Sequence, residues 1–431
     1  MLDTIKPNTL SNYKLGLEFA KQQDQNDELS SYRKQFHIPK DNNGNELIYM
    51  TGNSLGLQPK ITKDYINQEL DDWANLGVEG HTEGKHPWLH YHEFLTETMA
   101  NIVGAKPMEV VVMNSLTANL HFMMVSFYKP TPKRYKILIE ADAFPSDKYA
   151  VESQLRHHGY DDKEGLILWK ARKGEELANY DDLETIFNQH GDEIALVMIG
   201  GVNYYTGQFF DLKRIAALGH KHGCMVGFDC AHGAGNVPLN LHDSGADFAV
   251  WCSYKYLNSG PGSLSGAFVH ERHAHRKDLN RFTGWWSHNK QTRFKMRDEF
   301  DQLPGAEGWQ LSNPPILSMA AIRASLDVFK AAGFDKLCEK SRKLTGYFEF
   351  LLDELNNSDI KIITPRNPDE RGCQLSIQVK NADKGLHNKL TKAGIITDWR
   401  EPDVIRCAPV PLYNSYMDVY GFVERLKTIL N

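Results

Sequence analysis

Met225-Val226-Gly227-Phe228-Asp229-Cys230-Ala231-His232 is an apolar run that ends on a carboxylate, and Phe248-Ala249-Val250-Trp251-Cys252-Ser253-Tyr254-Lys255 is a second that ends on a lysine. Neither alternates polar with apolar residues, as expected of parallel strands buried on both faces. Similar runs lie on either side: Val110–Met113, Lys136–Glu140, Leu166–Trp169, Ile194–Gly200 and Gly266–His270. Amphipathic stretches separate them at spacings of roughly 25–30 residues, the rhythm of βαβ units. Some helix ends are readable: Asp181-Asp182-Leu183-Glu184 resembles a capping box, and the stretch after Asp211 closes at Gly223.

Outside this region the pattern changes. Ile61, Tyr65, Leu70 and Trp73 mark one earlier helix, and Trp88 to Val103 a second. Pro314-Pro315 opens another helix, and Phe334 to Leu355 reads as a long one. Short strands are expected at 360–363, 374–379, 395–398 and 404–407, with a helix at 384–392 and a last one from Tyr416. The predicted organisation is a large α/β domain over 46–310 and a smaller α+β domain over 311–431, with 1–45 as an N-terminal segment packing near the small domain.

With 431 residues, the chain is long enough for two or three domains at about 150 residues each. Its 49 Lys+Arg against 55 Asp+Glu give a net charge of −6, with neither sign gathered into a run. Nucleic acid and anionic membrane are therefore not expected partners. No stretch approaches the roughly 18 apolar residues of a membrane span. The six cysteines show no C-x-x-C pair and the N-terminus no signal peptide, so a soluble protein of the reducing cytoplasm is expected.

Ligands in open parallel sheets gather at the carboxyl ends of strands. An aspartate at one tip and a lysine at the next suit pyridoxal phosphate (PLP): the lysine holds the aldehyde as a Schiff base, and the acid keeps the pyridine nitrogen protonated. Taken singly, Asp229 would be read as a helix cap and Lys255 as a surface charge. Their combination, followed by the small-residue turn Asn258-Ser259-Gly260-Pro261-Gly262, carries the signal.

Further segments are distinctive: Tyr49-Met50-Thr51-Gly52-Asn53-Ser54-Leu55-Gly56, Gly80-His81, Pro87-Trp88, Asn114-Ser115-Leu116-Thr117, Ala143-Phe144-Pro145-Ser146-Asp147, Tyr205-Thr206-Gly207-Gln208, Ser253-Tyr254-Lys255-Tyr256, Ser312-Asn313-Pro314-Pro315 and Arg406-x-Ala408-Pro409-x-Pro411. Together they resemble the kynureninase family over nearly the whole chain. The resemblance implies the PLP-dependent transferase fold of type I, with a mostly parallel seven-stranded sheet, and hydrolytic Cβ–Cγ cleavage of kynurenine or 3-hydroxykynurenine in tryptophan catabolism and NAD biosynthesis. It also implies a homodimer.

The same resemblance assigns roles. Leu116 and Thr117 would meet the cofactor phosphate at a helix N-terminus, and Phe144 would stack on the ring, with Pro145, Ser146 and Asp147 in the same loop. Gly200 matches a cofactor contact that is serine in some members. Asp229 would pair with the ring nitrogen and His232 would lie beside the ring or phosphate. Tyr254 would bind the phosphate and relay protons, and Lys255 would carry the cofactor and act as base. Trp285 and Asn313 would reach the cofactor, and Arg406 would grip the substrate carboxylate through its planar fork. His81 and Asn313 fit the members that favour the 3-hydroxylated substrate. Trp286 departs from that pattern, which carries phenylalanine there.

Three rivals stand beside this reading. An aminotransferase or cysteine desulfurase would share Asp229, His232 and Lys255, but a desulfurase needs a mobile nucleophilic cysteine. A nicotinamide oxidoreductase would need a glycine fingerprint that Gly260-x-Gly262-x-x-x-Gly266 does not supply. A non-catalytic binding protein on the same scaffold would have no need of Lys255, Asp229 and Arg406 together. His86, His90 and His92, and the pairs His220/His222 and His273/His275, are read as solvated faces, with no metal expected.

Overall fold

The computed structural model describes residues 13–430. Its strands are β1 (Ile48–Tyr49), β2 (Val110–Met113), β3 (Lys136–Glu140), β4 (Leu166–Trp169), β5 (Ile194–Gly200), β6 (Met225–Asp229), β7 (Phe248–Cys252), β8 (Ser265–Val269), β9 (Ile360–Ile362), β10 (Leu375–Val379), β11 (Ile395–Ile396), β12 (Asp398–Arg400) and β13 (Val404–Cys407). The main sheet has seven strands in the order β2-β8-β7-β6-β5-β3-β4. Only β8 runs against its neighbours; the contacts among β3 to β7 are parallel.

Burial on both faces explains the unbroken apolar runs. Leu138, Val197, Ile199, Val226 and Phe228 belong to one core cluster, while Ile137, Ile139, Leu196, Met198 and Val250 belong to another. Successive strand residues point to opposite faces, so both sets must be apolar. Two glycines make room for large rings between strands: a Cβ on Gly227 would fall 2.0 Å from Phe248, and one on Gly266 would fall 2.2 Å from Trp251.

A second, smaller sheet runs β12-β13-β10-β9, with all neighbours antiparallel. Its core joins Leu344, Phe348, Ile377, Ile405 and Phe422 with Ala20, Ile48 and Met50 from the N-terminal part. The helix Ile316–Ala332 instead contributes Met319, Ile322 and Phe329 to a core cluster of the main sheet. Of the N-terminal segment expected near the small domain, residues 1–12 lie outside the described residues; the helix Leu17–Asn26 packs against the helix Tyr416–Leu430.

Three expected elements differ in detail. The strand expected over 395–398 is two, because β11 pairs in parallel with β1 and β12 pairs antiparallel with β13. The stretch 88–103 is a short 3-10 turn, Trp88–His90, and a helix, Glu93–Val103; Trp88 Nε1 and Tyr91 Oη both donate to the buried Glu69, at 3.0 and 2.8 Å, and hold the first turn apart. The helix expected from Asp181 starts at Tyr180, where the Asn179 side chain accepts the Asp181 amide at 2.9 Å. Among the described residues no helix is long and apolar enough to cross a membrane.

Candidate active site

A cavity of about 200 Å3 opens at the carboxyl ends of β3, β5 and β6 and beside the turn after β7. Lys255 enters it from that turn. Its Nζ lies 3.0 Å from His232 Nε2 and 5.7 Å from the centre of the Phe144 ring. Burial, reinforced by the Lys255 charge, holds the His232 imidazole well below its ordinary basicity. The ring is therefore neutral and its Nε2 accepts from the lysine, while its buried Nδ1 has no partner.

Three carboxyl groups face the same space. Asp229 accepts the Ala231 amide at 2.7 Å, and burial raises its proton affinity against the pull of that amide and of Lys255. Asp147 lies against Asp229, and burial and the Asp229 charge push its carboxyl well above the carboxylate range. One Asp147 oxygen is buried without a partner. Glu140, at the end of β3, is pushed up to about 7 by burial, although its own amide and that of Gly200 pull it down. Such a floor calls for a cation above it.

At the opposite side the helix Leu116–Phe127 begins at Ser115, whose extended backbone is followed by a first turn that no side chain caps. Thr117 Oγ1 lies 3.0 Å from Ser146 Oγ, in the first turn of the helix Pro145–His157. Free amides, two hydroxyls and a positive dipole end suit a phosphate. An anion site, a lysine, an aromatic face at Phe144 and an acidic floor fit PLP, whose phosphate could be held at Leu116, Thr117 and Ser146 and whose ring nitrogen could face Asp229.

The comparisons with known proteins agree. The family model of the kynureninase C-terminal domain matches residues 337–426. A kynureninase of Myxococcus xanthus is 60% identical over 409 residues, 95% of this chain and 96% of its own length. The chain belongs to the kynureninase family. A kynureninase of Mus musculus is 47% identical over 427 residues, covering 95% of this chain and 92% of its own. Among solved structures, a cysteine desulfurase of Thermococcus onnurineus covers 92% of this chain and 97% of its own at TM-score 0.74 and 17% identity. A cystine C–S lyase in complex with its product cysteine persulfide covers 88% and 97% at TM-score 0.74 and 17% identity. These two share the fold.

The kynureninase motifs divide between two environments. Leu116, Thr117, Phe144, Ser146 and Asp147 line the cavity together with Gly200, Asp229, His232, Tyr254 and Lys255. Pro145 follows Phe144 as the first residue of its helix and offers no amide. The other five candidates, His81, Trp285, Trp286, Asn313 and Arg406, lie outside. His81 Nδ1 meets the Val78 carbonyl at 2.9 Å, with the ring edge-on to Trp88. Trp285 is 44% exposed and Asn313 is exposed. Trp286 is buried, with the Arg293 guanidinium 4.2 Å from its ring centre. Arg406 is also buried, behind Tyr204, whose carbonyl accepts its Nη1 at 2.6 Å.

Sequence reasoning passed over Glu140, Tyr204 and Ser263, which line the cavity, and Asp398, which pairs with Arg406. Glu140 had the signal that singled out Asp229: it is the acidic last residue of a parallel strand. Two of the histidines read as solvated are buried, because each has an acid to face: His92 Nε2 lies 3.1 Å from Glu307, and His273 Nε2 lies 2.8 Å from Asp247.

Proposed function

We propose that this chain is a PLP enzyme that splits the Cβ–Cγ bond of kynurenine or 3-hydroxykynurenine with water, giving anthranilate or 3-hydroxyanthranilate and alanine. The observation that carries the reading is Lys255, with its Nζ 3.0 Å from a neutral His232 and facing Asp229, in a cavity with a phosphate-binding end. When bound, PLP supplies an electron sink and an aldehyde that links covalently to an amine. Lys255 is the residue that would hold that aldehyde, and its amine, when free, would take the proton from the substrate Cα. Asp229 keeps the ring nitrogen protonated. His232, uncharged, does not compete with Lys255 for a proton.

Arg406 would hold the substrate carboxylate through its planar fork and so orient the substrate Cα. Tyr254, whose phenol is raised by burial and so stays protonated, serves as a proton donor. Water adds its oxygen to the aryl carbonyl carbon, the aryl acid leaves, and Cβ takes a proton to become the alanine methyl group.

A second copy of the chain would complete the site. Trp285, Phe294, Met296 and Phe300 are exposed in one stretch, and a homodimer placing that stretch over a neighbouring cavity would bring Trp285 and Asn313 to it. The proposed setting is the cytoplasm, in tryptophan catabolism and NAD biosynthesis. Desulfurase chemistry, which the fold would permit, is disfavoured by the cysteines: five are buried, and burial pushes the remaining Cys338 up to about 12.

The test is to load the protein with PLP, record its visible spectrum, and follow anthranilate fluorescence from kynurenine and product absorbance from the 3-hydroxy substrate. Either product with an equal amount of alanine supports the reading. A cofactor band without cleavage of either substrate overturns it.

A further inference from the structure

Glu140 has no role in the chemistry above, yet it ends β3 at the same edge of the sheet where Asp229 ends β6. Strand β5 lies between them, and its last residue, Gly200, stands in register with Asp229. Both Glu140 oxygens accept the Gly200 amide, at 3.0 and 3.2 Å. The side chain is 5% exposed, lines the cavity, and makes no ion pair with any cationic side chain among the described residues. The charged groups that act on it are Asp229 and Asp142, with Asp147 coupled to Asp229 and Lys255 and the neutral His232 on the same cavity wall. A Cβ at residue 200 would fall 2.8 Å from Glu140 Oε1, so any larger residue there would press on the carboxylate.

A carboxylate buried without a cation is costly unless a bound group supplies the charge. We propose that Glu140 is a positioning residue for the cofactor on Lys255: it clamps the tip of β5 and, two strands from Asp229, adds negative charge to the cavity wall and thereby sets how readily the Lys255 linkage takes a proton. This inference rests on the PLP reading.

The experiment is a visible-absorption pH titration of the PLP-loaded protein, comparing wild type with Glu140→Gln, Glu140→Asp and Gly200→Ala. Glutamine keeps the acceptor for the Gly200 amide but removes the charge. Loss of a nearby negative charge disfavours the protonated linkage, so its midpoint falls, by about one pH unit. Aspartate keeps the charge, and its midpoint stays near that of wild type. Gly200→Ala crowds the carboxylate and moves the midpoint in the glutamine direction, which tests the idea even where Glu140→Gln fails to fold. Equal midpoints in wild type and the glutamine variant, or equal shifts with glutamine and aspartate, overturn the role of Glu140. A wild-type protein without any Lys255-dependent band overturns the PLP reading itself, a distinct failure.

Discussion

Asp398 and Arg406 form an ion pair almost closed to water, the arginine side chain 1% exposed and the aspartate 14%. The pair is lopsided. Asp398 also holds Arg400 Nη2 at 3.1 Å, whereas Arg406 has Asp398 as its one carboxylate, and its buried Nε lacks a partner. Removing Asp398 therefore strands a buried cation, while removing Arg406 leaves Asp398 still paired. Asp398→Asn is expected to lower stability by about 3 kcal/mol and Arg406→Ala by less. In kinetics, Arg406→Ala should raise KM at least tenfold with PLP affinity unchanged; equal loss of substrate and cofactor binding would remove its role as carboxylate ligand. Thermal melts and PLP titrations of the two variants separate the effects.

Replacing Lys255 by alanine should abolish turnover and the covalent linkage while leaving the anion site at Leu116, Thr117 and Ser146 intact. The neighbouring histidine offers a second check. With the lysine charge gone, one of the causes holding His232 down is removed, and its imidazole should become more basic though still depressed by burial. An NMR titration of His232 in the two cofactor-free proteins reads this directly.

The main sheet was legible because burial on two faces leaves unbroken apolar runs, and each expected strand from Val110 to the β8 region lies within a residue of its place. The strand at 395–398 was misread for the converse reason: Ile395–Ile396 and Asp398–Arg400 serve different partners, and a single run of residues carries no mark of a change of partner. In the site, Asp229 and Lys255 were readable as strand-tip residues with chemistry. Tyr204 and Asp398 were not: Tyr204 acts through a backbone carbonyl 202 residues away in the chain, and Asp398 through an ion pair with Arg406 that leaves no mark in the residue pattern. Glu140 could have been found by applying the strand-tip rule to every strand.

Without a bound cation the acidic floor should make the protein sensitive to rising pH. Glu140 is held at about 7 against an ordinary 4.5, so the folded state keeps this proton more tightly than the unfolded one. The resulting stability is complete below pH 4.5 and lost as pH rises to about 7, a change on the order of 3 kcal/mol. Cofactor-free Glu140→Gln should accordingly melt higher than cofactor-free wild type at pH 8, with the gap shrinking toward pH 5. A gap that is independent of pH would mean that the carboxyl does not titrate in this range.

Asp247 shows the opposite sign. Burial alone would raise it, but hydrogen bonds from His220 and His273, at 2.9 and 2.8 Å, and the Arg272 charge hold it far below the carboxylate range. It also accepts the Val226 amide at 2.7 Å, at the start of the strand that ends on Asp229. Its contribution is full above the ordinary carboxylate pKa and is lost progressively as pH falls from there through the far lower folded-state value. Asp247→Asn should cost about 3–5 kcal/mol at pH 7 and nearly as much at pH 4, measured by urea unfolding, with the cost shrinking only as pH falls well below the ordinary carboxylate range.

Trp286 should govern substrate choice. Its amide donates to the Leu311 carbonyl at 3.1 Å, which ties it to the segment carrying Asn313, and its ring is wedged between Trp285 and Arg293 with the indole nitrogen unpartnered. A ring so held would fix the face that the proposed homodimer brings to the cavity. Trp286→Phe removes volume and a buried polar atom at once, and the 3-hydroxyl group should profit. The ratio of kcat/KM for 3-hydroxykynurenine over kynurenine is expected to rise several-fold, below the roughly 10- to 200-fold that a methylene-sized change in a pocket can discriminate. Asn313→Ala should move the same ratio the other way, because a donor or acceptor for the hydroxyl is lost. Opposite shifts place both residues on the aryl pocket; an unchanged ratio in both variants would place the pocket elsewhere.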